Sequence, residues 1–285
     1  MNLPVLIPNI FDHPFTYDSS NLKLKAGDYV IVPFGKSRMT GIIWNEFEQG
    51  KQKNFSIKKI IKKINVESLS ENTIKFINWF SEYNLIPKGM ALKLHLLKNQ
   101  AFESFSIDQY KDYQISKYKK KINLSNEQIK SLNEITRFDN KFRVHVLQGT
   151  TGSGKTIVYF SSLKKKIDKG YQVLILLPEI GLTNDFKKKF IDYFGFIPAV
   201  WHSGITKKNK KIIWSGLSCG KIKVAIGARS ALFLPFKNLG LIIVDEEHDQ
   251  SYKQDEGVIY NARDMAIARA SFENIPINLI SAVPS

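Results

Sequence analysis

Apolar positions along the chain follow two different rhythms. Up to about Ile64 they come in short clusters, Tyr29 to Pro33 and Thr40 to Trp44, on either side of a turn at Phe34-Gly35-Lys36-Ser37, which predicts short strands joined by a hairpin. Beyond Ser70, a residue type suited to cap a helix, Ile74, Ile77 and Phe80 recur at helical spacing. Pro87-Lys88-Gly89 is expected to end that stretch before a second apolar run from Met90 to Leu97, and this helical part is expected to pack on the strands. From Ser106 to Asn123 the chain turns polar, with Tyr110, Tyr113, Tyr118 and the run Lys119-Lys120-Lys121, and reads as a linker.

After the linker the apolar runs are unbroken rather than alternating. Strands are predicted over Phe142 to Leu147, Val173 to Leu177, Ala199 to Trp201, Val224 to Ile226, Leu241 to Val244 and Ile277 to Ile280. Helices are predicted over Lys155 to Lys169, Lys207 to Leu217 and Ala262 to Phe272. Solidly apolar strands joined by helices imply a mainly parallel sheet covered on both faces, an α/β fold. The expected organisation is a β-rich domain over 1–105, a linker over 106–123 and an α/β lobe over 124–285, with no internal repeat.

Length and composition sharpen this only in places. A chain of 285 residues accommodates one large or two modest domains, and 43% hydrophobic residues suits a globular protein. Pro4, Pro8, Asn9 and Asp12 interrupt the first apolar residues, so neither a signal peptide nor a membrane span is expected and the cytoplasm is the expected compartment. The lone Cys219 excludes an intrachain disulfide or a cysteine-based zinc cluster within these residues. A formal charge of +16 favours a polyanionic partner, nucleic acid or anionic membrane, although a lysine-rich composition that merely solvates the surface accounts for it equally.

The chemistry is more specific. Gly149-Thr150-Thr151-Gly152-Ser153-Gly154-Lys155-Thr156 fits the phosphate-binding loop pattern and lies between a predicted strand and a predicted helix, the setting that the pattern requires. Glycines let backbone N–H groups turn inward around phosphate, and the helix start adds partial positive charge. Lys155 is expected to bridge the β- and γ-phosphates of ATP, and the Thr156 hydroxyl to hold Mg²⁺. Leu241 to Val244 then delivers Asp245 and Glu246 at a strand's C-terminal end, where parallel sheets bind ligands. Asp245 suits the Mg²⁺ shell and Glu246 suits orienting the attacking water as a general base. His202 and His248 have no ligand-spaced partners and read as local hydrogen-bonding residues.

Asp245-Glu246-Glu247-His248 resembles the box of superfamily-two helicases, and longer stretches resemble the replication-restart helicases of the primosomal protein N′ (PriA) family. Those stretches are Asp245 to Gln254, Tyr260 to Asp264, Ala268-Arg269-Ala270, Leu177 to Thr183, His202-Ser203-Gly204 and Gly227 to Phe233. In the N-terminal module they are Leu3-Pro4-Val5, Phe11-Asp12 and Gly27 through Val32-Pro33-Phe34-Gly35-Lys36. The resemblance implies a RecA-like lobe preceded by a β-rich DNA-binding domain that holds the 3′ end of the nascent leading strand at a stalled fork.

Phe11, Asp12, Gly35 and Lys58 match that domain's pocket. A ring there could stack on a terminal base, a carboxylate accept from a free 3′-hydroxyl and an ammonium meet a phosphate; for Phe11 and Gly35, ordinary core and turn roles stay open. Leu124 to Gln128 resembles a segment in which a glutamine amide reads the adenine edge, while Ser125 with Gln128 equally forms a capping box. Tyr252, Lys253 and Tyr260 match an aromatic-rich loop that couples single-strand binding to hydrolysis, and Arg229 is expected to touch the DNA backbone or to position that loop.

Further implied partners are fork and single-strand DNA, primosome proteins and single-strand-binding proteins at the nucleoid, with no membrane. Zinc is expected for the full-length family, but without ligands here. The sequence departs from the family in several places. Too few residues separate Leu97 from Leu124 for the family's winged-helix domain, Ala228 and Asn261 replace more usual residues, and Val283 replaces a threonine in Ser281-Ala282-Val283-Pro284. A second helicase lobe, an arginine finger, zinc-binding cysteines and a C-terminal domain have no counterpart within 1–285, so this chain alone is expected to hydrolyse slowly or not at all. The leading expectation is the N-terminal portion of an ATP-dependent 3′-5′ DNA helicase that starts primosome assembly. The alternatives are a truncated, non-catalytic fork-DNA- and ATP-binding module, or another superfamily-two translocase.

Overall fold

The computed structural model describes residues 1–46, 56–96, 107–115, 123–137, 141–181 and 183–283, so the Lys119-Lys120-Lys121 run, Leu97 and Pro284-Ser285 lie outside the described residues. Two compact units are present, Met1–Ser104 and Phe105–Ser285.

In the first unit, β1 (Asn2–Leu6), β2 (Phe15–Asp18), β3 (Tyr29–Phe34), β4 (Ser37–Ile43) and β5 (Lys62–Lys63) form an antiparallel sheet in the order β2-β1-β4-β3-β5. The chain before β5 then returns to β2. Asp18 N–H donates to the Lys58 carbonyl at 3.0 Å and Ile60 N–H to the Asp18 carbonyl at 2.9 Å, which joins the outer strands into a ring. Alternation along β1 and β3 sends Val5, Val30 and Val32 inside with Tyr17, Ile43 and Ile60. On the outside lie α1 (Glu71–Tyr83) and α2 (Lys88–His95). Trp44 Nε1 donates to Asn78 of α1 at 3.1 Å, and the Tyr29 hydroxyl meets His95 Nε2 of α2 at 2.7 Å.

Ser70 caps α1 by accepting from Thr73 N–H. The first helical stretch ends at Tyr83, before Pro87, but Gly89 is itself helical. It sits inside the first turn of α2 because the 7–9 segment passes over it, and a β-carbon there would lie 2.6 Å from the Asn9 carbonyl oxygen and 2.7 Å from that of Ile7.

The second unit includes part of the stretch read as a linker. Residues Ile107–Tyr113 form a 3₁₀ helix in which Tyr110 is buried, its hydroxyl donating to Ser215 Oγ at 3.0 Å, while Ile197 N–H donates to the Asp112 carbonyl at 3.0 Å. A polar run concealed one ring for which Gly216 leaves room: a β-carbon on Gly216 would lie 2.9 Å from that ring.

The lobe then runs α3 (Asn126–Thr136), β6 (Arg143–Gln148), α4 (Lys155–Asp168), β7 (Gln172–Leu176), α5 (Asn184–Phe194), β8 (Ala199–Trp201), α6 (Lys207–Ser218), β9 (Val224–Gly227) and β10 (Leu239–Val244). A short hairpin of β11 (Lys253–Gln254) and β12 (Tyr260–Asn261), α7 (Ala262–Glu273) and β13 (Pro276–Ser281) complete it. The six-stranded sheet has the order β6-β13-β10-β7-β9-β8 and every pairing in it is parallel.

Every residue of β7, β9, β10 and β13 is buried, the pattern of a sheet covered on both faces. One face packs Tyr159, Phe160 and Leu163 of α4 and Phe190 and Phe194 of α5 on Val173, Ile175, Leu241, Ile243 and Ile280. Lysines 187–189 hid α5 from the sequence reading, although Thr183 caps it and Phe186, Phe190 and Phe194 share one face. On α7, fully buried Arg269 donates to the carbonyls of Leu232 and Leu234 and lies over the Phe236 ring. Burial pushes its guanidinium down to about 10, so it stays charged at neutral pH.

A buried carboxylate ties the first unit together. Burial alone would raise the pKa of Asp28, but Lys63 Nζ at 2.7 Å, Ser68 Oγ at 2.6 Å and Lys25 N–H at 2.9 Å outweigh it and hold the carboxyl below its usual range. Its contribution to stability is therefore complete above the unfolded pKa of about 3.9 and is lost as pH falls through the lower folded value. Asp28→Asn is expected to cost about 3 kcal/mol at neutral pH. It should also flatten the loss of stability that the native protein shows below about pH 4, both read from urea unfolding followed by tryptophan fluorescence.

Candidate nucleotide and DNA sites

Three loops leave the C-terminal ends of β6, β10 and β13. The first is the glycine loop. Gly149 N–H donates to the Ser281 carbonyl at 3.2 Å, which pins the loop's start to the end of β13. Gly152 and Gly154 both have φ of 85°, in the left-handed region where a side chain is strained. At Gly152 a β-carbon would enter open space, whereas at Gly154 it would lie 2.4 Å from Gln128 Nε2. Gly154 is the N-cap of α4 and has no side chain to cap with, so the helix's first N–H groups are left for an anion. Lys155 Nζ folds back to donate to the carbonyls of Gly149 at 2.6 Å and Thr150 at 3.3 Å. A half-buried lysine whose ammonium is held by carbonyls beside a helix start suits a polyphosphate.

Gln128 serves this loop from α3. Its Oε1 accepts from Ser125 N–H at 3.0 Å and its own N–H donates to Ser125 Oγ at 3.3 Å, which is the capping box. Its Nε2 also donates to the Ser153 carbonyl at 3.1 Å, tying α3 to the loop.

The second loop carries the carboxylates. Asp245 Oδ2 accepts from the Tyr159 hydroxyl at 2.8 Å and Oδ1 from Glu246 N–H at 3.1 Å. Burial pushes its carboxyl up; the Tyr159 hydroxyl and the Lys155 charge oppose the rise, and the neighbouring Glu246 charge adds to it. Glu246 has φ of 47°, a left-handed conformation costly for any residue with a side chain. That twist turns its side chain toward solvent, 46% exposed. Glu247 points inward instead, 3% exposed, and pairs with Arg263 of α7 at 3.1 Å.

The third loop contributes Ser281. Its hydroxyl lies 2.7 Å from His248 Nδ1 and accepts from Val283 N–H at 3.1 Å. Ser281 therefore touches the glycine loop through its carbonyl and the acidic loop through its hydroxyl. The Val283 side chain is exposed, so at this position the backbone makes the contact. His202 Nδ1 accepts from Gly204 N–H at 3.2 Å, a local bond. Among the described residues no group of three or more His, Cys, Asp or Glu could hold a metal by itself. A cation shared between one carboxylate, one hydroxyl and phosphate oxygens fits the donors present.

The hairpin after β10 corrects one expectation. Tyr252 is buried, its hydroxyl shared between the carbonyls of Asp245 at 2.6 Å and Leu176 at 3.0 Å. Tyr260 is buried edge-on against Phe233 at 5.6 Å. In this conformation neither ring offers a face on which a base could stack, because Tyr252 is tied to the end of β7 and Tyr260 to Phe233 of the 229–233 turn. Lys253 is exposed beside Asp255. Of the two roles open to Arg229, the structure displays loop positioning: it donates to the Lys253 carbonyl at 2.8 Å and to Glu179 Oε1 at 3.1 Å.

In the first unit, Phe11 is 40% exposed in a ring cluster with Phe15 at 5.3 Å and Phe34 at 6.3 Å. Gly35, next to Phe34, has φ of 57° and open space where a side chain would be. Asp12 Oδ1 accepts from Lys88 N–H at 2.9 Å and the Phe11 carbonyl from Gly89 N–H at 3.0 Å. Phe11 and Asp12 thus sit at the start of α2, a neighbour that sequence reasoning missed and that the glycine at 89 alone signalled, while Gly35 joins them through the Phe34 ring beside Phe11. Lys58 is not brought to them. It lies beside Asp18, three residues along β2 from Phe15, or about 10 Å.

Comparison with known proteins matches both units. Residues 4–96 match the model of the 3'DNA-binding domain (3'BD), and residues 125–285 match that of the DEAD/DEAH box helicase. The Replication restart protein PriA of Rickettsia conorii is 40% identical over 99% of this chain, which spans 42% of that relative. Its counterpart in Rickettsia typhi is 42% identical over 99% of this chain and 42% of the relative. That of Bacillus subtilis is 39% identical over 70% of this chain and 24% of the relative. This chain therefore spans less than half the length of the relatives that it matches.

The tightest steric demand in the glycine loop is at Gly154. Gly154→Ala adds about 1–2 kcal/mol of left-handed strain and drives a methyl into the Gln128 amide. It is expected to weaken nucleotide binding by about tenfold or more with little change in the far-ultraviolet circular dichroism spectrum, as titration of a fluorescent ATP analogue would show.

Proposed function

We propose that this chain, which belongs to the DEAD/DEAH box helicase family, is the N-terminal portion of an ATP-dependent 3′-5′ DNA helicase that recognises stalled replication forks and initiates primosome assembly. The observation that carries this reading is one polypeptide holding a 3'DNA-binding domain and a helicase lobe whose Lys155, Asp245 and Ser281 loops converge. A DEAD/DEAH helicase domain implies the use of ATP and Mg²⁺.

In the lobe, the N–H groups of 149–156 and the Lys155 ammonium hold the triphosphate, and Lys155 offsets charge that develops on the γ-phosphate. Thr156 and Asp245 hold Mg²⁺, which supplies Lewis-acid stabilisation of the phosphate oxygens when bound. Glu246, solvent-facing and one residue beyond Asp245, orients the attacking water. Gln128 reads the adenine edge while it braces the loop. Arg229, Tyr252, Lys253 and Tyr260 pass the state of bound single-strand DNA to the carboxylates through the Tyr252 hydroxyl's bond to the Asp245 carbonyl.

In the first unit, Phe11 stacks on the terminal base beside Gly35. Asp12, with one oxygen already taken by Lys88 N–H, keeps acceptor capacity for a 3′-hydroxyl. Lys58, farther along, meets the phosphate backbone. Primosome and single-strand-binding proteins and a cytoplasmic, nucleoid-associated location belong to the same proposal; among the described residues no helix is long and apolar enough to cross a membrane.

A second reading is a fork-DNA- and nucleotide-binding module without turnover, favoured by the one parallel-sheet lobe among the described residues. Multiple turnovers by this chain alone would exclude it. An arginine finger supplied from elsewhere contributes roughly a thousandfold or more in related hydrolases, so residues 1–285 by themselves are expected to turn over slowly.

Two measurements test the main reading. A fork with a free 3′-hydroxyl is expected to bind about tenfold more tightly than one ending in a 3′-phosphate, with Asp12→Ala erasing the difference; equal affinities for the native protein would refute 3′-end recognition. Lys155→Ala is expected to lower ATP affinity by about tenfold or more while leaving fork binding and its steep salt dependence unchanged.

A further inference from the structure

One hydroxyl at the nucleotide site belongs to no part of the mechanism above. Tyr159 lies on α4 one turn beyond Lys155 and three residues beyond Thr156. Its side chain is fully buried among Phe160 and the apolar face of the sheet, a place where phenylalanine would pack as well. Burying a phenol there requires a partner, and the partner is Asp245 Oδ2 at 2.8 Å. The same hydroxyl also interacts with Thr156. The opposite oxygen of Asp245 is taken by Glu246 N–H at 3.1 Å.

These two donors leave the carboxylate no free rotation, since each oxygen is tied to a different element. The donor on α4 belongs to the helix that begins with Lys155 and Thr156. Groups that orient a metal-binding carboxylate from behind typically change metal affinity by tenfold to a hundredfold.

We propose that Tyr159 is a positioning residue for the divalent cation: its hydroxyl fixes the Asp245 carboxylate relative to the Thr156 hydroxyl, so that both oxygens face one cation site when nucleotide arrives. This rests on the assignment of Asp245 and Thr156 to Mg²⁺ made above. Tyr252, the other tyrosine at this turn, holds only the backbone carbonyl of Asp245 and has no part in setting the carboxylate's rotation.

The test uses the full chain and a fluorescent, non-hydrolysable ATP analogue, titrated with Mg²⁺ and again with EDTA. For the native protein Mg²⁺ is expected to tighten binding. Tyr159→Phe, which keeps the ring and removes one oxygen, is expected to lose about tenfold of the Mg²⁺-dependent affinity and to match the native protein in EDTA. In Asp245→Asn the further change Tyr159→Phe is expected to have no effect on the Mg²⁺ response.

An unchanged Mg²⁺ response in Tyr159→Phe would overturn the proposal. So would an equal loss with Mg²⁺ and with EDTA, since the hydroxyl would then support the loop and not the cation, or an additive loss in the double variant. A native protein whose nucleotide affinity ignores Mg²⁺ would instead remove the assignment of Asp245 and Thr156 itself, before any substitution is made.

Discussion

The nucleotide site depends on the parallel register of β6, β13 and β10. Leu147 pairs with Ile280, Gln148 with Ser281 and Val244 with Leu279, so the three strands end within a residue or two of one another. A slip of that register by one residue would exchange the side chains of the two covered faces and break the packing that each makes with its own helices. Because the register is held in this way, Gly149, Asp245 and Ser281 emerge side by side, close enough for direct bonds between loops that are far apart in sequence. The chemistry is local and the placement is not.

Burial sets the second condition. Asp245 lies where a charge is costly, and hydroxyl, amide and ammonium groups around it compensate in part. Glu247 is buried more deeply and is matched by an arginine on α7. The strongly basic surface composition has little bearing on either. Most of the described lysines are exposed, and they bear on long-range attraction of a polyanion rather than on the geometry of catalysis.

Much of this was legible in the sequence because its signals are short-range. The glycine loop and the acidic box are contiguous motifs whose strand and helix neighbours can be read from periodicity, and the lobe's α/β class follows from solid apolar runs. What failed has a common cause. Tyr252 and Tyr260 sit among polar residues and read as exposed, yet their partners lie on β7, β10 and the turn before β10. Tyr159 carried no local signal at all, since its bond to Asp245 spans 86 residues. The Phe11 cluster could be suspected, but its approach to α2 rests on contacts between residues 7–12 and 88–89, which no local pattern encodes. For Lys58 residue type suggested phosphate, and strand geometry put it at the far end of β2 from Phe15, a separation that no local pattern encodes.

The left-handed backbone at Glu246 gives the acidic turn a property that its composition would not suggest. Three consecutive carboxylates on an ordinary strand would alternate faces, placing the first and third together on one side. With the twist at the middle residue, Asp245 faces the helix of the glycine loop, Glu246 faces water and Glu247 faces α7. One tripeptide thereby divides its three carboxyl groups among three dielectric environments, and the steric strain of one residue is the condition for sending neighbouring acids to different tasks.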